Sequence, residues 1–191
     1  MDRPLLILAS ASPRRQELLA SAGIAFEVIP SEVDEEAREG ESPEEYVSRL
    51  AREKATEAAA KEGHRWVLAA DTIVAIDGTI LEKPQDPPEA RQMLERLSGR
   101  EHRVITGYCI LQSSSGKRRE GRVVTRVRFK ALSPEEIRRY LDTGEPFDKA
   151  GAYAIQGKAA FMVREIRGSY TNVVGLPLCE VVEALQELGA V

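Results

Sequence analysis

The chain has 191 residues, and 27 Lys plus Arg against 31 Asp plus Glu give it a formal net charge of −4. This length suits one domain or two small lobes, and an apolar share of 42% is enough for a folded core and too high for a disordered chain. The acidic balance argues against a protein that coats nucleic acid, no apolar run approaches the ~20 residues of a membrane span, and the N-terminal run turns polar at Ser10, too soon for a secretory signal. Two separated cysteines without a CxxC pair, Cys109 and Cys179, favour a reducing cytoplasm over a disulfide framework or a zinc site.

Strands alternate with helices along the chain, which predicts an α/β fold. The first strand is predicted at residues 5–9, a short apolar run bounded by turn residues. A helix follows, because Ser12 is a candidate N-cap, Pro13 suits the first helical position and Gly23 suits the end. A second short strand is predicted at residues 27–29.

The start of this first helix carries a candidate anion site. Ligands of α/β proteins gather at the carboxyl ends of strands, and a helix N-terminus offers free N–H groups and the positive end of the helix dipole. Ser10, Arg14 and Arg15 stand at that position. Arg15 falls on the side of the helix that Leu18 and Leu19 should bury, where a guanidinium needs an anionic partner. That partner is either a bound phosphate or a carboxylate of the protein, and the sequence leaves both open.

An acidic segment separates the second strand from a long helix. Residues 32–45 hold eight acidic residues and one Arg, which is typical of a solvated loop. Glu35 in this loop is a candidate metal-ligating carboxylate, with an ordinary solvated side chain as the alternative. Ser42 and Glu45 match a capping box, so a helix is predicted over residues 43–62.

Lys54 lies in the middle of the apolar stripe of this long helix. At 100° per residue the stripe consists of Val47, Leu50, Ala51 and Ala58. Lysine is rarely buried without a partner. Either its stem snorkels out to solvent, or its ammonium reaches across the apolar face into a site.

A β-hairpin is predicted next, with strands at residues 66–76 and 79–82 joined by an Asp77-Gly78 turn. Asp71 stands inside the otherwise apolar first strand, where an isolated carboxylate costs several kcal/mol. Lys83 follows the returning strand, so the two residues are expected near the same region. They form either a buried ion pair or a site in which the carboxylate holds a divalent ion or activates water while the lysine holds phosphate.

The second half of the chain continues the alternation of strands and helices. Helices are predicted at residues 87–97, 134–142 and 177–188, and strands at residues 103–112, 122–132 and 160–166. The strand at 122–132 alternates, with Val123, Thr125, Val127 and Phe129 on its buried side and Val124, Arg126, Arg128 and Lys130 on the other.

The residue types that remain for chemistry are carboxylates, lysines and arginines. His64 and His102 flank charged residues, so both are predicted at the surface. Without a Ser–His–Asp or Cys–His arrangement, nucleophilic catalysis is disfavoured. The remaining set suits metal-assisted hydrolysis of a phosphate ester or anhydride.

Five ordered blocks of sequence make the chain resemble a known family. They are LASASPRRQELL, YVSRLAREKA, AADTIV with LEKP, LDTGEPFDKAGAYAIQG, and GSYTNVVGLPL. Together they resemble the Maf family of nucleoside triphosphate pyrophosphatases over nearly the whole chain, and that family resembles the inosine triphosphate pyrophosphatases in fold.

The resemblance implies a single α/β domain over residues 1–191, with a bent mixed sheet, flanking helices and two lobes around a deep cleft. It also implies a cytoplasmic, house-cleaning hydrolase that converts a nucleoside triphosphate to the monophosphate and pyrophosphate with Mg²⁺ or Mn²⁺, acting as a homodimer. By the same resemblance, Asp71 is the catalytic acid–base group and, with Glu35, a metal ligand. The implied substrate-binding residues are Ser10, Arg14, Arg15, Lys54, Thr72, Lys83 and Gln156.

The DKAGAYAIQG block resembles the branch of the family that acts on dTTP and UTP. The amide of Gln156 offers a donor and an acceptor to the carbonyl and N–H of a uracil or thymine edge, although it is also able to cap its own loop. Two other functions stay open: hydrolysis of another nucleotide, such as a methylated purine triphosphate, and nucleotide-dependent regulation of cell division without turnover.

Overall fold

The computed structural model describes residues 6–191, so Leu5 of the first predicted strand lies outside the described residues. The strands are β1 (Leu6–Leu8), β2 (Phe26–Val28), β3 (Trp66–Ile76), β4 (Thr79–Leu81), β5 (Glu101–Gln112), β6 (Lys117–Phe129) and β7 (Val163–Arg167). The helices are α1 (Pro13–Ser21), α2 (Pro43–Lys61), α3 (Pro87–Leu97), α4 (Pro134–Leu141), α5 (Tyr170–Val174) and α6 (Leu178–Leu188).

The strands form one mixed sheet in the order β2-β1-β3-β5-β6-β7, with β4 paired to β3 off this path. β1 runs parallel to both of its neighbours, and the other pairings are antiparallel. The predicted fold class, an α/β protein with a mixed central sheet, is therefore confirmed.

One edge of the central strand β3 is left open in its middle. β5 covers the other edge from Val67 to Ala75. On the open side, β1 pairs only with Trp66–Leu68 and β4 only with Val74–Ile76. Because side chains alternate between the faces of a strand, the gap between β1 and β4 exposes both faces of β3 to one space.

Two apolar clusters meet β3 on either side of this gap. Leu68 and Ala70 belong to a cluster with β1, α1 and α6, whereas Val74 and Ile76 belong to a cluster with α3 and α4. The polar residues of β3 lie between them, which places a cleft where the two clusters separate.

Local signals for helix starts and for the hairpin are mostly confirmed. Both reciprocal hydrogen bonds of the capping box form at Ser42 for α2, and likewise at Ser133 for α4. Asp77 and Gly78 both have positive φ, 52° and 76°, as the predicted two-residue turn requires. Ser12 does occupy the N-cap of α1, but its side chain makes no capping hydrogen bond. Within residues 6–191, every helix is too short or too polar to cross a bilayer.

The structure differs from the predicted elements in the bounds of β6, which covers Lys117–Phe129 instead of residues 122–132, and again after residue 157. Residues 160–162 form a 3₁₀ turn ahead of β7 rather than part of that strand. The five-residue helix α5 was not predicted, because so short a helix shows no periodicity. The predicted alternation of β6 is confirmed, since Thr125, Val127 and Phe129 are buried and Arg126 and Arg128 are exposed.

Gly107 lets α2 approach β5 closely. A Cβ atom added at Gly107 would lie 2.5 Å from the carbonyl oxygen of Val47 in α2, which is closer than van der Waals contact. We expect Gly107→Ala to lower the free energy of unfolding by about 1–3 kcal/mol, because the helix has to move away from the sheet. Gly63→Ala, where nothing lies within 4 Å and φ is not positive, is the matched control in urea denaturation. Equal stability of the two variants would contradict this close contact.

Candidate active site

The gap beside β3 opens into a cleft of about 560 Å³. Its walls come from the segment between β1 and α1, the middle of β3, the loop after β4, and the segments 148–156 and 173–175. The sequence-predicted site residues that line it are Ser10, Arg14, Arg15, Glu35, Lys54, Asp71, Thr72, Lys83 and Gln156. The structure therefore brings together, in one cleft, residues spread over most of the chain.

Lys54 joins two carboxylates at this cleft. Its Nζ lies 2.7 Å from Oδ1 of Asp71 and 2.6 Å from Oε1 of Glu35. Lys54 is only 8% exposed, so its ammonium is buried between partners and does not snorkel. The ion pair that the sequence left open between Asp71 and Lys83 forms with Lys54 instead, because α2 packs on the face of β3 that carries Asp71. Lys83 is exposed at the cleft wall.

The loop that carries Glu35 is exposed, as expected, yet it is fastened to α2. The hydroxyl of Tyr46 donates to the carbonyl oxygen of Glu35 at 2.6 Å. Arg49 donates to the carbonyl of Glu36 and binds both carboxylate oxygens of Glu41. Burial alone would raise the pKa of Glu35, but the hydrogen bond and charge of Lys54, with Lys83 and Arg15 farther off, outweigh it and lower the pKa. Glu35 is thus a fixed, ionised carboxylate.

The N-terminus of α1 points its first turn at the cleft. Since Ser12 makes no side-chain cap, the first N–H groups of the helix are not occupied by that hydroxyl. Ser10 instead accepts hydrogen bonds from the backbone N–H of Ser12 and from Nη1 of Arg15. Arg14 lines the cleft, and in residues 6–191 its guanidinium makes no hydrogen bond. An uncapped helix end beside a free guanidinium favours a bound anion.

Arg15 binds neutral oxygens rather than a carboxylate. Its Nε donates to the carbonyl of Gly175 at 2.8 Å, and its Nη1 and Nη2 donate to the hydroxyls of Ser10 and Thr72, each at 3.1 Å. The alternative of an internal salt bridge is therefore wrong within the described part of the chain. Burial lowers the pKa of Arg15, partly opposed by the charge of Asp71. Three of five N–H donors are used, which leaves two for a ligand.

Thr72 projects from the opposite face of β3 to Asp71, yet both reach the cleft through the open edge. Its hydroxyl lies 2.9 Å from that of Thr106 and 3.2 Å from the carbonyl of Gly175, besides accepting from Arg15. The side chain is thus fully engaged with the protein and supports the position of the Arg15 guanidinium.

Gln156 stands at the far wall of the cleft. It is exposed, and its amide has no hydrogen-bond partner among the residues that the structure describes. The alternative in which Gln156 caps its own loop is therefore wrong. The amide is available to a ligand.

Comparison with known proteins gives a consistent result over the whole chain. A family model described as "Maf-like protein" matches residues 5–188. The chain belongs to the Maf family. It is 57% identical over 190 residues to the dTTP/UTP pyrophosphatase of Geotalea uraniireducens, covering 97% of this chain and 96% of that protein. It is 55% identical over 194 residues to the dTTP/UTP pyrophosphatase of Geobacter sulfurreducens, covering all of both chains.

The fold of this Maf protein also resembles that of a solved structure of low sequence identity. The Staphylococcus aureus Ham1 protein matches with a TM-score of 0.50 at 12% identity, covering 94% of this chain and 98% of that one. At such identity the likeness concerns the fold alone, and it agrees with the expected mixed sheet flanked by helices.

Several residues at the Maf cleft were missed by the sequence analysis. Tyr46, Glu82, Asp148 and Lys149 all line it. Tyr46 precedes Val47 and lies four residues before Leu50, so its place beside the apolar stripe was a usable signal. Glu82, Asp148 and Lys149 lie at ends of elements, where local patterns carry no information about neighbours.

The prediction that His102 lies at the surface is wrong, because its side chain is only 2% exposed. The prediction rested on the charged residues beside His102 in the sequence. Successive side chains of β5 point to opposite faces, so His102 is buried although Glu101 next to it is exposed. Its Nε2 lies 2.7 Å from the hydroxyl of Tyr153, a residue of the cleft wall. Burial lowers the pKa of His102 to about 4, so the ring is neutral at neutral pH.

Proposed function

We propose that this Maf protein hydrolyses dTTP and UTP to the nucleoside monophosphate and pyrophosphate. The observation that carries the proposal is the buried Lys54 ammonium between Glu35 and Asp71, in a cleft that also holds the N-terminus of α1 and the free amide of Gln156. The names of the full-length relatives support the same substrates.

In this proposal the triphosphate lies along the basic side of the cleft. Arg14, Lys83 and the first N–H groups of α1 bind its phosphate oxygens, since helix ends and guanidinium groups favour anions. Arg15 contributes its two remaining N–H donors, and Ser10 keeps that guanidinium in place. These cations also stabilise the negative charge that develops on the leaving pyrophosphate.

Asp71 acts on the attacking water. Its carboxylate accepts a proton as the water oxygen bonds to the α-phosphorus and the bond between the α-phosphorus and the bridging oxygen breaks, so that pyrophosphate leaves. Lys54 holds the carboxylate in a fixed orientation with a 2.7 Å contact. A preorganised base of this kind needs no rearrangement during the reaction.

Glu35 and Asp71 also fit a divalent cation. No group of three or more His, Cys, Asp and Glu side chains within residues 6–191 is arranged to hold a metal by itself. Mg²⁺, however, is typically held by one or two carboxylates together with substrate phosphates and water, which matches these two acids. Bound Mg²⁺ or Mn²⁺ supplies charge neutralisation at the phosphates and a lower pKa for the attacking water.

Gln156 selects the base by pairing with the carbonyl and N–H that uracil and thymine share. UTP and dTTP differ at C5 and at the 2′ position, neither of which this contact senses. The family resemblance also implies that Arg14 and Thr72 stand at substrate-selecting positions. In this chain Thr72 holds the Arg15 guanidinium, which binds the triphosphate.

The test is pyrophosphate release from a panel of nucleoside triphosphates with Mg²⁺ or Mn²⁺. We expect turnover of dTTP and UTP well above that of CTP, ATP, GTP and methylated purine triphosphates. Faster turnover of another nucleotide would assign that nucleotide as the substrate in place of dTTP and UTP. If no nucleotide released pyrophosphate, the result would favour the non-catalytic regulator.

Gln156→Ala is expected to reduce the preference for UTP over CTP, measured as the ratio of their kcat/KM values. In the proposed pairing the amide is held in the one orientation that matches O4 and N3–H of uracil, and its loss lowers the UTP:CTP ratio of kcat/KM by about tenfold, the cost of a hydrogen-bond pair to the bound base. Gln112→Ala, a similar removal outside the cleft, is the control. An unchanged nucleotide profile would remove Gln156 from base selection.

Three further features rest on the family resemblance and remain predictions. They are the two-lobed single domain, the cytoplasmic location and the homodimer. Light scattering on the purified chain decides the last of these.

A further inference from the structure

The segment that presents Gln156 is fixed by polar groups that the reaction does not use. Residues 151–158 carry no regular strand or long helix, and yet five consecutive residues, 151–155, are buried. Such a segment keeps one conformation only if specific contacts hold it. Ala152 and Tyr153 pack in the apolar cluster with α3 and α4, and polar contacts hold the segment on both sides of Gln156.

At the first end, Tyr153 bonds to His102. The 2.7 Å contact between the hydroxyl and Nε2 lies inside a core of aromatic rings, in which Phe129 packs edge-on against both residues at centroid distances of 4.7 and 5.0 Å. His102 Nδ1 is buried and has no hydrogen-bond partner in the described chain. Within residues 6–191 the hydroxyl of Tyr153 is therefore the only polar contact of this ring, whereas an apolar pair in its place would leave no unsatisfied polar group.

The backbone before Tyr153 adopts an unusual conformation with positive φ at two consecutive residues. Ala152 has a φ of 58°, in the left-handed region that residues with a Cβ rarely adopt. Gly151 has a φ of 67°, donates to the carbonyl of Glu82, and leaves no room for a side chain, since a Cβ there lies 2.9 Å from Val74. These restraints set the backbone before Tyr153. The side chain of Tyr153 is held separately, by its packing in the apolar core and by its hydrogen bond to His102.

At the second end, Glu145 holds the residues after Gln156. Its carboxylate accepts the backbone N–H of Lys158 and the hydroxyl of Tyr140, each at 3.0 Å. Gly157, with a φ of 98°, passes so close that a Cβ there lies 2.8 Å from the same carboxylate. Gln156 thus sits between two anchored points.

We propose that His102 is a positioning residue for nucleobase selection: through its hydrogen bond to Tyr153 it fixes the segment that presents Gln156 to the base. This inference rests on the proposed function and deepens it. His102 lies outside the residues that line the cleft and acts only through Tyr153.

The test compares Tyr153→Phe and His102→Leu with the wild type. Each variant removes the hydrogen bond and keeps a side chain of similar size. We expect KM for UTP and dTTP to rise about fivefold to tenfold, kcat to stay within about twofold, and the UTP:CTP ratio of kcat/KM to fall by the same factor as KM rises. The double variant should lose no more selectivity than either single one, because both remove the same interaction.

Two controls separate positioning from general destabilisation. Tyr170→Phe removes an exposed hydroxyl elsewhere and should leave both constants unchanged. His102→Gln places a polar atom near the position of Nε2 and should restore much of the UTP:CTP ratio. A role in folding alone would lower Tm and reduce turnover of every nucleotide equally, without rescue by Gln.

The outcomes distinguish this inference from the function on which it rests. A wild type without pyrophosphate release from UTP and dTTP contradicts both. An active wild type with the same UTP:CTP ratio in folded Tyr153→Phe and His102→Leu overturns the positioning role and leaves the proposed function intact.

Discussion

Asp71→Asn is expected to lower kcat for pyrophosphate release from dTTP and UTP by about a thousandfold, the range of a general base. The amide keeps the shape of the side chain but cannot accept the proton of the attacking water. Tm should change little by comparison, because Lys54 keeps its second partner, Glu35, at 2.6 Å. The measurement is a steady-state assay of pyrophosphate with saturating Mg²⁺, accompanied by thermal unfolding.

The matched control for this variant is Asp77→Asn, at the turn of the same hairpin. Asp77 is exposed and binds Arg100, and Asn tolerates its positive φ of 52° equally well. It should keep wild-type turnover. If Asp71→Asn also turned over UTP at the wild-type rate, that result would contradict the assignment of Asp71 as the general base, whether or not the site binds a metal.

What the sequence predicted well was set by local chemistry. Capping residues predicted the starts of α2 and α4, and periodicity placed Lys54 on the buried face of α2. A lysine at such a position needs a partner, so the existence of a site was predictable without knowing its geometry.

What the sequence did not predict depended on strand order. The open edge of β3 exists because β1 ends at Leu8 and β4 begins opposite Val74, and neither fact is encoded near Asp71. For the same reason the sequence offered Lys83, which follows the same hairpin, as a possible ion-pair partner of Asp71, whereas the partner is Lys54 from the helix that covers the sheet. His102 shows a different error, since the predicted strand began at residue 103 and left His102 outside it, whereas β5 begins at Glu101.

The roles of Arg15 and Thr72 show how a family motif acquires a physical explanation. The GSYTNVVG block places the carbonyl of Gly175 where it accepts from Nε of Arg15 and from the hydroxyl of Thr72. Its Asn172 donates from Nδ2 to the carbonyl of Val104 and to Thr125, which ties α5 to β5 and β6. That block therefore supports the basic wall of the cleft from behind.

Lys54→Met is expected to reduce both activity and stability, and the two effects have separate causes. Removing the ammonium leaves Glu35 and the buried Asp71 facing each other without a cation, and breaking a buried pair in this way costs about 3–5 kcal/mol of folding free energy. Activity should fall by at least about a hundredfold, because the base loses the group that orients it. Urea denaturation and the pyrophosphate assay measure the two effects on the same preparation.

Lys61→Met on the same helix is the matched control. Lys61 is exposed and pairs with Glu57 one turn earlier, a solvent-screened surface contact that contributes little to stability. That variant should keep its stability and turnover. Wild-type activity in a folded Lys54→Met protein would show that Asp71 needs no fixed cation beside it. Another group would then have to orient the Asp71 carboxylate.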